Sequence, residues 1–257
     1  MTERTYYLRT CDADGKSYGG FQWPLEVGAA VEAPDWDPKP VCGGGLHGLH
    51  MGAGNGGLLS WDADAKWIVF SSDCPAIDLG GKSKVQRGVV EHVGDRFSAA
   101  AAIVSLGADP SLCVGYSAQC GDGSTLTGGS RSTLTGGSRS TLTGGDGSTL
   151  TGGDGSTLTG GYDSTLTGGD DSTLTGGSRS TLTGGDGSTL TGGYGSTLTG
   201  GYRSTLTGGY GSTLVVRWYD SASRRYRMAV GYVGEDGIEA GVAYRVDSRG
   251  CFVRAEG

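Results

Sequence analysis

The sequence predicts a mainly β protein, in which a parallel β-solenoid of six 16-residue coils lies between two capping regions. Residues 120–215 are twelve tandem copies of an eight-residue unit with the consensus Gly-Gly-x-x-Ser-Thr-Leu-Thr. Leucine is the one large apolar residue of this consensus, and all five tryptophans of the chain lie outside the repeat. So strict a period is typical of stacked coils, and the different sequences at the two ends are expected to cap them.

Composition divides the 257-residue chain into three predicted regions. Residues 1–111 are expected to form an α+β N-terminal capping domain, residues 112–215 the β-solenoid, and residues 216–257 a C-terminal β cap. The repeat holds 29 of the 53 glycines, so its composition differs sharply from that of both flanks.

Each unit encodes one turn and one short strand. Gly-Gly allows positive φ and therefore marks the turn, whereas Ser-Thr-Leu-Thr suits a strand. Side chains alternate across a strand, so both threonines share one face while serine and leucine share the other. Leucine must point inward, and two units close one flattened coil. Six coils stacked about 4.8 Å apart give a rod roughly 29 Å long.

The threonines are therefore predicted to form two exposed arrays, one on each broad face. Within a pair the Cα atoms lie about 6.7 Å apart, and pairs repeat about every 4.8 Å along the rod. One face carries Thr125, Thr127, Thr141, Thr143, Thr157, Thr159, Thr173, Thr175, Thr189, Thr191, Thr205 and Thr207. The other face carries Thr133, Thr135, Thr149, Thr151, Thr165, Thr167, Thr181, Thr183, Thr197, Thr199 and Thr213.

The unit resembles the repeat of bacterial ice-nucleation proteins, whose coils read roughly Ala-Gly-Tyr-Gly-Ser-Thr-Gln-Thr followed by Ala-Gly-x-x-Ser-x-Leu-Thr. The segment Gly192-Gly193-Tyr194-Gly195-Ser196-Thr197-Leu198-Thr199 matches the first half at most positions. The resemblance implies that the Thr-x-Thr arrays order water or bind an ice surface. Here leucine replaces glutamine, Thr-Leu-Thr occurs on both faces, and six coils stand where that family usually has dozens.

A second interpretation stays open, since exposed threonine is ordinary in strands. The solenoid would then be a structural or self-assembly module without ice activity. Two other repeat classes do not fit. Calcium-binding β-roll repeats have a nine-residue period with a fixed aspartate. Collagen needs glycine at every third residue with abundant proline, whereas residues 120–215 contain no proline.

The third and fourth positions of the unit vary, and they alternate between two narrow edges of the solenoid. Tyr162, Tyr194 and Tyr210 fall on one edge and are predicted to mediate self-association as a homodimer, because exposed aromatic rows favour contact with another chain. The resemblance likewise implies that a tyrosine row pairs two solenoids. Isolated, solvated turn residues are the alternative.

Residues 1–111 contain strand candidates at 5–10, 67–71 and 89–93 and a helix candidate at 98–106, with Gly107 as its stop. Such a domain is expected to cover the open first coil of the solenoid. The segment 35–47, with its core Cys-Gly-Gly-Gly-Leu-His, resembles uncharacterised bacterial and phage-encoded N-terminal domains. That resemblance implies no activity.

No catalytic residue, metal or cofactor is predicted. Cys42, His47, His50 and Cys74 have loosely metal-like spacing, but zinc sites usually show tighter cysteine pairs. A Cys-His nucleophilic pair would need an oriented base. A glycine-rich turn with a packed cysteine is the preferred interpretation. The six scattered cysteines show no disulfide framework.

Residues 216–257 alternate apolar and polar side chains over 216–219, 226–233, 242–246 and 251–253, which predicts a compact β cap.

The net charge of −7 argues against a nucleic-acid partner. No apolar stretch is long enough to span a membrane. The N-terminus shows no signal segment, so we expect a cytoplasmic location or export to the cell surface by a non-classical route.

Overall fold

The computed structural model describes residues 4–255, and the chain divides after Ser117 into two compact units. The expectation that the N-terminus carries no signal segment concerns residues 1–3 in part, and these lie outside the described residues. The predicted three-part division and the capping role of residues 1–111 stay predictions.

The first unit is built on a seven-stranded sheet whose neighbouring strands are antiparallel. The three predicted strands are confirmed, and four short strands are added to them. The strands are β1 (Thr5–Cys11), β2 (Ala30–Glu32), β3 (Leu46–His50), β4 (Lys66–Ser72), β5 (Ile77–Asp78), β6 (Ser83–Val85) and β7 (Arg87–Gly94). Their order in the sheet is β2-β7-β4-β1-β3-β6-β5.

Both faces of this sheet are covered. Strand β4 places Trp67 and Val69 in one buried cluster and Ile68 and Phe70 in another. An uninterrupted apolar run is the pattern expected of a strand that is buried on both sides. Helix α1 packs on the first of these faces, and Ile103 joins the cluster there.

Helix α1 spans Arg96–Ser105 and so begins two residues before the predicted start. The cause is Asp95, whose carboxylate accepts a hydrogen bond of 2.8 Å from the Ser98 N–H and caps the first turn. Gly107 ends the helix as predicted, with φ +101°. A single-turn 3-10 helix at Gly56–Leu58 was not predicted.

The second unit confirms the solenoid. Two eight-stranded sheets face each other, and successive repeats alternate between them. One sheet contains β8 (Ser117–Gln119), β10 (Thr133–Thr135), β12 (Thr149–Thr151), β14 (Thr165–Thr167), β16 (Thr181–Thr183), β18 (Thr197–Gly200), β20 (Thr213–Asp220) and β21 (Arg225–Tyr232). The other contains β9 (Thr125–Gly128), β11 (Thr141–Gly144), β13 (Thr157–Gly160), β15 (Thr173–Gly176), β17 (Thr189–Gly192), β19 (Thr205–Gly208), β22 (Ala243–Val246) and β23 (Phe252–Arg254).

Leucine forms the core of the solenoid, as predicted. Parallel pairing matches each residue with the one sixteen positions later, for example Leu142 with Leu158 and Thr141 with Thr157. The leucines from Leu134 to Leu214 are fully buried, while Leu126 in the first coil is half-buried. Fully burying one leucine contributes roughly 1.5–3 kcal/mol.

The Gly-Gly pair has a different role from the predicted one. Positive φ occurs at the fourth position of the unit instead, at residues such as Gly155, Asp171 and Arg179. The pair is needed for space. A Cβ on Gly160 would lie 2.7 Å from Ser164 Cβ, and one on Gly145 would lie 2.8 Å from the backbone nitrogen of Ser130 in the preceding coil.

The C-terminal residues form a β cap that extends both sheets. Strand β20 leaves the last repeat and folds back on β21, pairing Val215 with Val230. Strand β22 pairs antiparallel with β19, and β23 with β22. Buried Ile238 and Tyr244 belong to this cap.

Candidate functional site

The threonines form two ordered arrays on the outer faces of the solenoid. Because pairing is parallel and in register, every Thr-x-Thr pair lies directly beside the pair of the next coil on its face, as Thr157 and Thr159 lie beside Thr173 and Thr175. Most of these threonines are exposed. The half-buried ones lie towards the ends of the arrays: Thr133, Thr135, Thr199, Thr205, Thr207 and Thr213.

The threonine hydroxyls are not used by the protein itself. Within residues 4–255, no threonine of the repeat forms a side-chain hydrogen bond that would occupy its hydroxyl, although serines and aspartates of the same units do so throughout. Each hydroxyl can donate one hydrogen bond and accept two. The arrays therefore offer water a regular lattice of unoccupied donors and acceptors, interleaved with methyl groups.

A ladder of inward-facing serines fixes the spacing between coils. These side chains are fully buried, and each must find partners inside. Ser164 Oγ donates to the Gly145 carbonyl at 3.4 Å, and Ser180 Oγ donates to the Gly161 carbonyl at 3.1 Å. Ser180 Oγ also accepts from the Ser164 N–H at 3.3 Å. These serines therefore find their partners in the backbone and in one another.

A second ladder, formed by aspartates, was missed from the sequence. Each aspartate at the third position of the unit accepts a hydrogen bond from the backbone N–H sixteen residues later, at 2.7–3.0 Å. The aspartates are Asp122, Asp146, Asp154, Asp170 and Asp186. The sequence carried a signal for this ladder, because aspartate recurs at the third position of the unit. Its short carboxylate readily accepts hydrogen bonds from backbone N–H groups.

The predicted self-association residues lie on one edge and are exposed. Tyr194 and Tyr210 stack with ring centroids 6.4 Å apart and an interplanar angle of 24°. Tyr162 is separated from them by the coil that carries Ser178, and the Arg179 guanidinium lies 5.9 Å from its ring centroid. The edge therefore carries one aromatic pair and one isolated tyrosine.

The chain is similar to bacterial ice nucleation proteins. It is 39% identical over 125 residues to one from Enterobacter agglomerans, a match covering 48% of this chain and 10% of that protein. Ice nucleation protein InaU of Pantoea ananas is 39% identical over 114 residues, covering 43% of this chain and 11% of InaU. An ice nucleation protein from Xanthomonas campestris pv. translucens is 48% identical over 102 residues, a match covering 38% of this chain and 6% of that protein.

The resemblance predicted from the octapeptide is thereby confirmed. The chain spans about a tenth of the length of the first two relatives. No family model and no solved structure matches it.

The residues weighed as a zinc or nucleophile site in the first unit lie in different surroundings. Cys42 is exposed, with Lys82 Nζ 3.2 Å from its sulfur, while Cys74 follows the exposed Asp73. His50 packs edge-on against Tyr7. In the described part of the chain, no three His, Cys, Asp or Glu side chains come together as a metal site.

No helix within residues 4–255 combines the length and apolar character needed to cross a membrane. Self-association, the lack of a nucleic-acid partner and the location of the protein stay predictions.

Proposed function

We propose that the threonine arrays of the solenoid order water or bind an ice surface, without catalysis. The observation that carries this proposal is the combination of in-register pairing, exposure and unoccupied hydroxyls over successive coils. Ordering one water costs up to about 2 kcal/mol. A rigid, repeated surface can offset that cost because the serine and aspartate ladders fix the array before water arrives.

The similarity to proteins named for ice nucleation supports the same function. This chain has six coils, so its ordered surface is small. We expect modest activity, namely retention on a growing ice surface or nucleation well below 0 °C.

Droplet freezing of the purified protein, together with measured incorporation into a growing ice surface, tests the proposal. Droplets that freeze at the same temperature as buffer, with no protein retained in the ice, would reject it. The alternative function, a structural or self-assembly module without ice activity, would then remain.

We also propose that the edge carrying Tyr162, Tyr194 and Tyr210 forms a weak homodimer contact. The exposed stack of Tyr194 on Tyr210 supports this assembly role, since aromatic side chains are enriched at interfaces. We expect sedimentation equilibrium to show a dimer that is lost when all three tyrosines become serine. Replacing Tyr18, an exposed tyrosine in the first unit, is the matched control. A monomer at high concentration, or a dimer unaffected by the triple change, contradicts the proposal.

A further inference from the structure

The first unit contains a cavity of about 1090 Å³ that the solenoid function does not use. Its wall is formed by β1, the beginning of β3, the loop Cys42–Gly45 and Lys82. Trp23 and Leu46, both almost fully buried, supply apolar surface. The volume is slightly above the roughly 300–1,000 Å³ that small-molecule sites usually occupy.

Three nitrogen atoms on side chains that line this cavity lack partners. Arg9 Nε, Trp23 Nε1 and His47 Nε2 are buried and have no hydrogen-bond partner among the described residues. A buried polar group without a partner carries a desolvation penalty, and native proteins rarely keep several together without a reason. Arg9 Nε and Trp23 Nε1 are N–H donors, and the described residues supply no acceptor for either of them.

Positive charge gathers at the same place. The Arg9 guanidinium lies 4.0 Å from the centroid of the Trp23 ring, and its two terminal nitrogens donate to the backbone carbonyls of His47 and Thr10, at 3.3 and 3.2 Å. Lys84 is fully buried behind the glycine loop, where Nζ donates to the Val41 and Gly43 carbonyls at 2.9 and 2.8 Å. Within residues 4–255, none of Arg9, Lys82 and Lys84 forms an ion pair with a carboxylate.

The acidic groups near the cavity do not balance these cations. Asp12 and Asp35 are exposed, and the Asp12 carboxylate already accepts the Asp14 and Lys16 N–H groups. Burial first, and then the nearby Lys82, Lys84 and Arg9, lower the pKa of His47 to about 4 against the opposing effect of Asp35. His47 is therefore neutral near pH 7, while the cations around it outnumber the carboxylates.

We propose that this cavity binds a small organic anion whose carboxylate or phosphate group is held by Arg9 and Lys82, with its apolar body against Trp23. The Arg9 guanidinium forms long hydrogen bonds to neutral carbonyls. A charged acceptor that bonds to two of its nitrogens at once would form stronger hydrogen bonds than these carbonyls do. The cationic surroundings oppose a metal ion. The Cys-Gly-Gly-Gly-Leu-His segment then has a role: it forms one wall of the site, and its Gly43 carbonyl, together with that of the preceding Val41, holds Lys84.

Two probes test the site in the full chain at pH 7 and low salt. Inorganic phosphate and benzoate are titrated by calorimetry, with tryptophan fluorescence as the second readout. We expect saturable binding of at least one of them. Arg9→Gln and Lys82→Met should each weaken it at least tenfold, whereas Lys39→Met, which removes an exposed lysine outside the cavity wall, should leave it unchanged.

The two probes separate the chemical classes, since saturation by phosphate alone identifies a phosphate ligand and saturation by benzoate alone a carboxylate. If Arg9→Gln fails to fold, as circular dichroism would show, Lys82→Met alone tests the site. Lys82 is only half-buried, so we expect this variant to fold. The proposal is overturned if neither probe saturates at millimolar concentration, or if Lys82→Met binds as tightly as Lys39→Met.

Discussion

The Asp146 carboxylate accepts a hydrogen bond of 2.8 Å from the backbone N–H of Tyr162, one coil further along the solenoid. The same contact recurs at every aspartate in the third position of the repeat. Variable positions of the repeat thus help to hold coils together, because a carboxylate there satisfies a turn N–H that serine or tyrosine leaves without this bond.

We expect Asp154→Ala to destabilise the solenoid by about 1 kcal/mol, the typical worth of such a hydrogen bond. The change removes the acceptor for the Asp170 N–H, 3.0 Å away. Urea unfolding followed by circular dichroism measures the effect. Ser178→Ala, at an equivalent turn position, is the control and should shift the midpoint little. Equal midpoints for the two variants would show that the aspartate ladder contributes nothing.

We expect Gly160→Ala to be more damaging than Gly155→Asp. A Cβ at residue 160 would lie 2.7 Å from Ser164 Cβ and 2.8 Å from Leu166 Cδ1, inside the packed core. Gly155 has φ +65°, but Asp171 on the same edge already adopts φ +55°, and nothing but the flexible Arg139 side chain lies near. Overpacking typically costs 1–3 kcal/mol. Thermal unfolding of both variants compares them, and a lower melting temperature for Gly155→Asp would contradict the assignment.

Changing Thr157, Thr159, Thr173 and Thr175 to lysine should interrupt one array at its centre without unfolding the protein, because all four are exposed. We expect droplet freezing temperature and ice retention to fall more than after the same change at Thr125, Thr127, Thr141 and Thr143. The end variant introduces the same number of lysines as the centre variant, and it changes strands of the same sheet. Equal losses would indicate that hydroxyl number, and not the continuity of the array, governs the activity.

The hairpin of β20 and β21 should weaken in acid. The hydroxyl of Ser223, followed by nearby backbone N–H groups and Arg227, lowers the pKa of Asp220 to about 2. A lowered folded-state pKa stabilises above the unfolded value of about 3.9, and this contribution is lost as pH falls from about 4 to 2. We expect the protection of the Ala222 and Ser223 amides, measured relative to their intrinsic exchange rates at each pH, to fall over that range, because both N–H groups donate to the Asp220 carboxylate. Asp220→Asn should abolish this fall in protection. Protection factors that stay constant from pH 5 to 2 in the native protein would contradict this.

The octapeptide determined the solenoid by itself. Its period set the coil length, its single leucine set the inside, and strand alternation then placed Thr157 outside once Leu158 was inside. These are local rules of spacing and face, so one unit contains nearly all the information and twelve copies repeat it. The same rules found strands such as β4, in which an unbroken apolar run signals burial on both sides.

Only the tertiary structure decided which backbone positions carry the turn and what the variable residues contact. Gly160 is glycine because Ser164 and Leu166 pack against it, and Asp146 matters because Tyr162 of the next coil lies above it. The cavity beside Arg9 joins segments that are far apart in the sequence, from β1 to Lys82. Contacts between coils and between distant segments depend on how the chain folds back on itself, and a linear pattern of residue types does not specify them.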